Sequence, residues 1–247
     1  MDYILEMKKI SKSFGNVHAL RGVDFCLKKG EVVALLGDNG AGKSTLIKIM
    51  SGLYTQDSGE IVISGDTKDV RKWNVRSARE SGIETVYQDR ALGYSQPLWR
   101  NLFAGRHIKN SFGLIDVKAE IEASQKIIDD FGLSGAGISP NTPALVLSGG
   151  ERQGLAIGRA MYFRAEVVVL DEPTTALAVN EVEYVLNFAR IVRDEGRSVV
   201  IITHSIDHAW SIADRFVILS HGRVFCVCDK KDLTLESLLL KLREASR

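Results

Sequence analysis

Residues 31–53 read EVVALLGDNGAGKSTLIKIMSGL, and this stretch decides the fold. Residues 32–36, VVALL, form an unbroken apolar run, which reads as a strand buried on both faces. A glycine-rich turn, GDNGAGKS at 37–44, follows, and then a helical segment closed by Gly52. Strand, glycine loop and helix in that order make an anion cradle, because backbone N–H groups curl around the anion at a helix N-terminus. GDNGAGKS fits G-x-x-x-x-G-K-[ST]. Lys43 then places a point charge on the β and γ phosphates of a nucleotide, with roughly 1.5–3 kcal/mol for each charge-assisted bond. The Ser44 hydroxyl is a candidate Mg²⁺ ligand. The alternative is a glycine-rich turn with a surface lysine, and the flanking strand and helix argue against it.

Working outward, the N-terminal third alternates. YILEMKKI, HALRGVDFCL and GEIVIS at 59–64 read as strands with glycine-rich turns between them. The middle is helical. DVKAEIEASQKIIDDFGL has Asp116 as an N-cap, apolar residues at helical spacing and Gly132 as a stop, and a second helix begins near Ser148. The last third returns to strand and helix in turn. EVVVLD and SVVIITH are buried strands, 180–195 is a helix ending at Gly196, and SIDHAWSIAD is a short helix. FVILSHGRVFCV is a hairpin turning at His221–Gly222, and 234–245 is an amphipathic helix. This order predicts an α/β protein: a parallel core (1–88 and 164–247) with an N-terminal antiparallel β-subdomain and an inserted helical subdomain over 89–163.

Composition excludes several classes. The 247 residues carry 32 basic and 31 acidic side chains for a net charge of +1, so no strong field favours nucleic acid or an anionic membrane. No apolar run approaches the roughly 20 residues that span a bilayer, and MDYILEMKKISKSFG lacks a signal core. The expectation is a soluble, intracellular chain. Cys226 and Cys228 point to one face of a strand, but two thiols do not make a metal site.

Four further features carry chemistry. VVVLDE at 167–172 delivers two carboxylates to the end of a buried strand. Asp171 can hold Mg²⁺ through water, and Glu172 can polarise an attacking water. His204 ends the next strand, where a histidine is either structural or a contact for the γ-phosphate. Gln88, after another strand in VYQD, is either a surface residue or a Mg²⁺ ligand that senses the γ-phosphate. LSGGE at 147–151 is a second helix start with bare N–H groups and a serine hydroxyl, a second place to hold an anion.

GDNGAGKST, VYQD, LSGGERQ, VVVLDEP and ITH stand in the order and spacing of the ATP-binding cassette (ABC) ATPases, and the resemblance covers almost the whole chain. LSGGE is the most specific element, because other P-loop enzymes lack it. The resemblance implies a P-loop NTPase core that binds ATP and Mg²⁺ through Gly37, Asp38, Asn39, Gly40, Ala41, Gly42, Lys43, Ser44 and Thr45. It implies that Phe14, in KSFG, stacks on adenine, although a phenylalanine after a strand also suits a core. It implies Glu172, His204 and Gln88 as catalytic residues, and Ser44, Gln88 and Asp171 as the metal's neighbours. It also explains the second anion position. Two cassettes of this family pair head to tail, and Ser148, Gly149, Gly150 and Glu151 of one close over the ATP held by the other.

IETVYQD and EPTTAL are similar to the ATPases of bacterial monosaccharide importers fed by a ribose-, xylose- or fructose-type binding protein. That implies a homodimer of single cassettes, separate membrane permease subunits docked on the helical insertion and the Gln88 loop, and a place on the inner face of the cell membrane. One departure stands out. Ala178 occupies the position where the family usually has an aspartate that couples the two sites. Three other readings remain open: a soluble ABC protein acting on DNA or ribosomes, a module that clamps ATP without turning it over, and an importer ATPase for another small solute. The aromatic segment 92–105, with Tyr94, Trp99 and Phe103, reads either as a local core or as a groove for a permease helix.

Overall fold

A computed structural model of the chain describes residues 3–87, 93–130, 137–175 and 177–246. The antiparallel subdomain is formed by β1 (Tyr3–Phe14), β2 (Val17–Lys28), β4 (Ser58–Ile63) and β5 (Asp66–Thr67), in the order β2-β1-β4-β5. The second sheet has the order β10-β9-β3-β8-β7-β6, built from β3 (Val32–Leu36), β6 (Ile83–Val86), β7 (Val167–Asp171), β8 (Ser198–Ile202), β9 (Arg215–Ser220) and β10 (Arg223–Asp229). Its members run parallel except the terminal β9–β10 hairpin.

The helices are α1 (Lys43–Met50), α2 (Val75–Glu80), α3 (Leu98–Phe103), α4 (Val117–Asp130), α5 (Gly149–Tyr162), α6 (Val179–Asp194), α7 (Ile206–Ile212) and α8 (Leu235–Ala245). Residues in β3, β7 and β8 are buried along the whole strand, as their continuous apolar runs require. Alternate side chains then enter different cores. Val33, Leu35, Val169 and Val200 pack with α1 and the antiparallel sheet. Ala34, Leu36, Val168, Leu170 and Ile201 pack with α5, α6, α7 and α8.

A third cluster lies among α3, α4 and the first half of α5, with Leu98, Leu102, Phe103, Ile127, Ile128 and Leu155. Phe103 is fully buried and packs edge-on against Tyr162 and Phe163. Trp99 is buried too, so of the three aromatics in 92–105 only Tyr94 reaches the surface. Phe103 is core for that subdomain, as one of the two readings expected. The short helix α3 escapes periodicity because six residues hold under two turns. Asp116 caps α4 as expected, its carboxylate accepting from the Ala119 amide at 3.0 Å.

One buried ion pair ties the strand that leads into the glycine loop to its neighbour. Arg215 on β9 donates two hydrogen bonds, at 2.6 and 2.8 Å, to Glu31, the residue before β3. Burial pulls the Arg215 pKa down, but the bonds and charge of Glu31 outweigh it and the net shift is upward.

Candidate functional site: a nucleotide cradle and a capped helix start

The glycine loop leaves the C-terminal end of β3, between β8 and β9, and runs into α1. Gly37 and Gly42 take φ of 139° and 106°, conformations that side chains rarely adopt. A Cβ on Gly37 would strike the Leu219 carbonyl, and one on Gly42 would lie 2.7 Å from the Ala19 carbonyl. Glycine is therefore required at both ends of the turn. Asp38, Asn39 and Gly40 are exposed, Ala41 is buried, and Ser44 is exposed at the first turn of α1 with Thr45 half-buried behind it.

Lys43 is the buried cation of the loop. Its Nζ donates to the carbonyls of Gly37 at 2.6 Å and Asp38 at 2.9 Å. Burial lowers its pKa, and the negative charges of Glu172, Asp38 and Asp171 act against that shift. The lysine is thus bent back over its own loop, among carboxylates and within the field of the two acidic residues at the end of β7.

Those residues are placed by strand register. β7 and β8 are paired with Asp171 opposite Ile202, so their C-terminal ends lie side by side. Asp171 and Glu172 are both buried. Glu172 adopts a left-handed backbone, φ 50°, which costs a non-glycine residue about 1–2 kcal/mol. Its amide donates to the Ile202 carbonyl at 2.9 Å, and its own carbonyl accepts from Thr175 at 3.2 Å. Glu172 Oε2 accepts from the His204 amide and the Thr175 hydroxyl, each at 3.3 Å. Oε1 lies 3.1 Å from His204 Nε2 but has no aligned donor, so the two are close without being locked together. The His204 side chain is largely exposed, at 58%. A carboxylate held in this way, with one oxygen uncommitted, can accept a proton from a water.

Phe14 ends β1 and is 44% exposed. Its ring meets Tyr54 edge-on at 5.4 Å, and Lys12 stands 5.6 Å from its centroid. Tyr54 follows α1, with its amide bonded to Lys48, so the Phe14 ring flanks the helix that the glycine loop enters. An exposed aromatic face there can stack on a planar base. Tyr54 was not legible as a site residue, because only the tertiary contact with Phe14 marks it.

Ser148 is the N-cap of α5. Its hydroxyl accepts from the Glu151 amide at 3.2 Å, and the Glu151 carboxylate accepts from the Ser148 amide at 2.6 Å, a complete capping box. The Gly150 amide donates to Glu181 Oε1 on α6 at 3.2 Å. Gln88 lies outside the described residues. Among the described residues no group of three or more His, Cys, Asp or Glu side chains forms a metal-binding cluster, which leaves Ser44 and Asp171 as individual candidates.

Residues 20–175 match the family model described as ABC transporter. The chain is 43% identical over 238 residues to the xylose/arabinose import ATP-binding protein XylG of Sulfolobus acidocaldarius, covering 96% of this chain and 93% of that protein. It is 38% identical over 241 residues to the ribose import ATP-binding protein RbsA of Caldanaerobacter subterraneus, covering 97% of this chain but 47% of that protein. A solved ATP-binding cassette of an ABC transporter in its ADP conformation superposes with a TM-score of 0.83 at 24% identity, covering 100% of this chain and 99% of the other. That likeness concerns the fold alone. Among the described residues no helix is long and apolar enough to cross a membrane. With the glycine loop, the paired acids at the end of β7 and the capped glycine helix start all in place, the chain belongs to the ABC transporter family and is one of its ATP-binding cassettes.

Proposed function

We propose that this cassette is the energy-coupling subunit of a monosaccharide importer. It hydrolyses MgATP as a head-to-tail homodimer beneath separate membrane permease subunits, on the inner face of the membrane. A binding protein outside delivers the sugar. The sugar class rests on the xylose/arabinose and ribose import relatives. The balanced charge gives no support to a nucleic-acid partner.

The observation that carries the reading is that one chain holds two anion positions on different elements. The glycine loop follows β3, whereas α5 packs on β6. In the sheet order β3 and β6 are three steps apart, roughly 14 Å at the usual strand spacing. This supports a composite site, in which the α5 start of one copy closes over the nucleotide of the other. In that site Lys43 and the loop amides hold the β and γ phosphates, and Phe14 stacks on the base. Ser44 and Asp171, and Gln88 by resemblance, would hold a Mg²⁺ ion, which would neutralise phosphate charge. Their chemistry fits, being a hydroxyl, a carboxylate and an amide oxygen. Glu172 takes the proton of the attacking water. His204 stands beside Glu172 and reaches the γ-phosphate. Residues 89–163 form the helical subdomain that faces the permease.

The test is reconstitution with a candidate sugar permease and its binding protein. Sugar-loaded binding protein should stimulate ATP hydrolysis several-fold in proteoliposomes. Hydrolysis indifferent to permease and sugar, together with co-purifying nucleic acid, would contradict the reading.

A further inference from the structure

The α5 start carries an intramolecular guest. Of the first amides of the helix, Glu151 N–H is given to the Ser148 hydroxyl and Gly150 N–H to the carboxylate of Glu181. The other oxygen of Glu181 accepts from the Ala178 amide at 3.0 Å. Glu181 therefore bridges the starts of two helices, α5 and α6. The contact is close: a Cβ on Gly150 would meet the Glu181 carboxylate and push that side chain aside. Ala178 sharpens the point. It offers α6 no capping side chain, and Glu181, three residues on, accepts from its amide.

We propose that Glu181 is the resident occupant of the α5 anion position, and that the γ-phosphate held by a second copy of this chain must displace its carboxylate for the pair to close. The inference rests on the composite-site reading above. Its physical basis is competition. A carboxylate and a phosphate are both favoured at a helix N-terminus, but they are both anions and cannot share one N–H. In the separated chain the carboxylate satisfies an orphan amide and links the two helices. In the closed pair it must turn away, and its charge opposes the incoming phosphate. Glu181 thereby raises the nucleotide concentration at which two copies close and keeps the separated state populated.

The test uses the full chain with Cys26, Cys226 and Cys228 replaced, Glu172→Gln to retain ATP, and Asn39→Cys with Ser148→Cys as a crosslinking pair. The yield of disulfide-linked dimer is titrated against MgATP with and without Glu181→Gln. Glutamine keeps an acceptor for Gly150 but removes the charge, and charged hydrogen bonds are about twice as strong as neutral ones. The expected result is a half-maximal MgATP concentration about five- to tenfold lower in the Glu181→Gln protein. An equal or higher concentration, with ordinary ATP-dependent crosslinking in the Glu181 protein, overturns the role of Glu181 and leaves the composite site standing. Absence of ATP-dependent crosslinks in both proteins removes the composite site, and the displacement with it. A melting curve without nucleotide confirms that the Glu181→Gln chain is folded.

Discussion

Glu172 Oε1 and His204 Nε2 lie 3.1 Å apart at the adjoining ends of β7 and β8, near each other but not aligned as a hydrogen bond. The carboxylate thus keeps one oxygen for a water while its other oxygen is held by the His204 amide and Thr175. Glu172→Gln should retain MgATP binding and slow hydrolysis by roughly 10²–10⁴-fold, the usual contribution of a positioned base. Single-turnover hydrolysis with equilibrium binding separates the two effects. Native turnover in the variant would remove Glu172 from the chemistry.

Lys43 has opposite effects on stability and binding. Its pKa is lowered in the fold, first by burial. A lysine with a folded pKa below its unfolded one costs stability while both states are charged, and the cost fades as pH rises through the folded pKa. Lys43→Met should therefore raise the nucleotide-free melting temperature near neutral pH, by ~2 °C, and abolish most MgATP affinity. The stability gain should shrink as pH rises through the lowered folded-state pKa of Lys43. A thermal melt across pH and a calorimetric titration check both parts.

Glu31 and Arg215 form a buried, two-bond ion pair joining the start of β3 to β9. Removing one partner leaves an uncompensated charge. Glu31→Ala should destabilise the chain by about 3–5 kcal/mol, measured by denaturant unfolding. The double replacement Glu31→Met with Arg215→Met should recover much of that loss, because apolar pairs of similar volume often match a buried ion pair.

Cys226 and Cys228 face the same side of β10, with sulfurs 3.8 Å apart. Burial, then the neighbouring thiol, pushes the Cys226 thiol up to about 11. Little thiolate exists at neutral pH, so alkylation of Cys226 by iodoacetamide should be slow at pH 7.5 and should accelerate about tenfold per pH unit until near pH 11. Peptide mass spectrometry of pulse-labelled protein reads this directly.

The sequence made the cradle legible for a physical reason. The apolar run 32–36, the glycines and Lys43 all serve one local backbone shape, so spacing alone carries it. The same holds for the Ser148–Glu151 capping box, which spans four residues. Features built from distant residues were not legible. The Glu31–Arg215 clamp joins positions 184 apart, and Phe14 meets Tyr54 only after β1 and α1 have packed. Likewise Glu181 reaches Gly150 across 31 residues, a contact that no local pattern encodes. The short helices α2 and α3 lacked the length to show a period, and Phe103 turned out to be core because α4 and α5 cover it.

The central claim is that Ser148 serves the nucleotide of another copy, and one measurement tests it most directly. With the native cysteines replaced and Glu172→Gln in place, Asn39→Cys and Ser148→Cys are oxidised with and without MgATP. A disulfide requires Cα atoms within about 7 Å, so it reports proximity strictly. The account predicts a covalent dimer on a non-reducing gel with MgATP and little without it. An intramolecular crosslink, or a dimer indifferent to ATP, would contradict it.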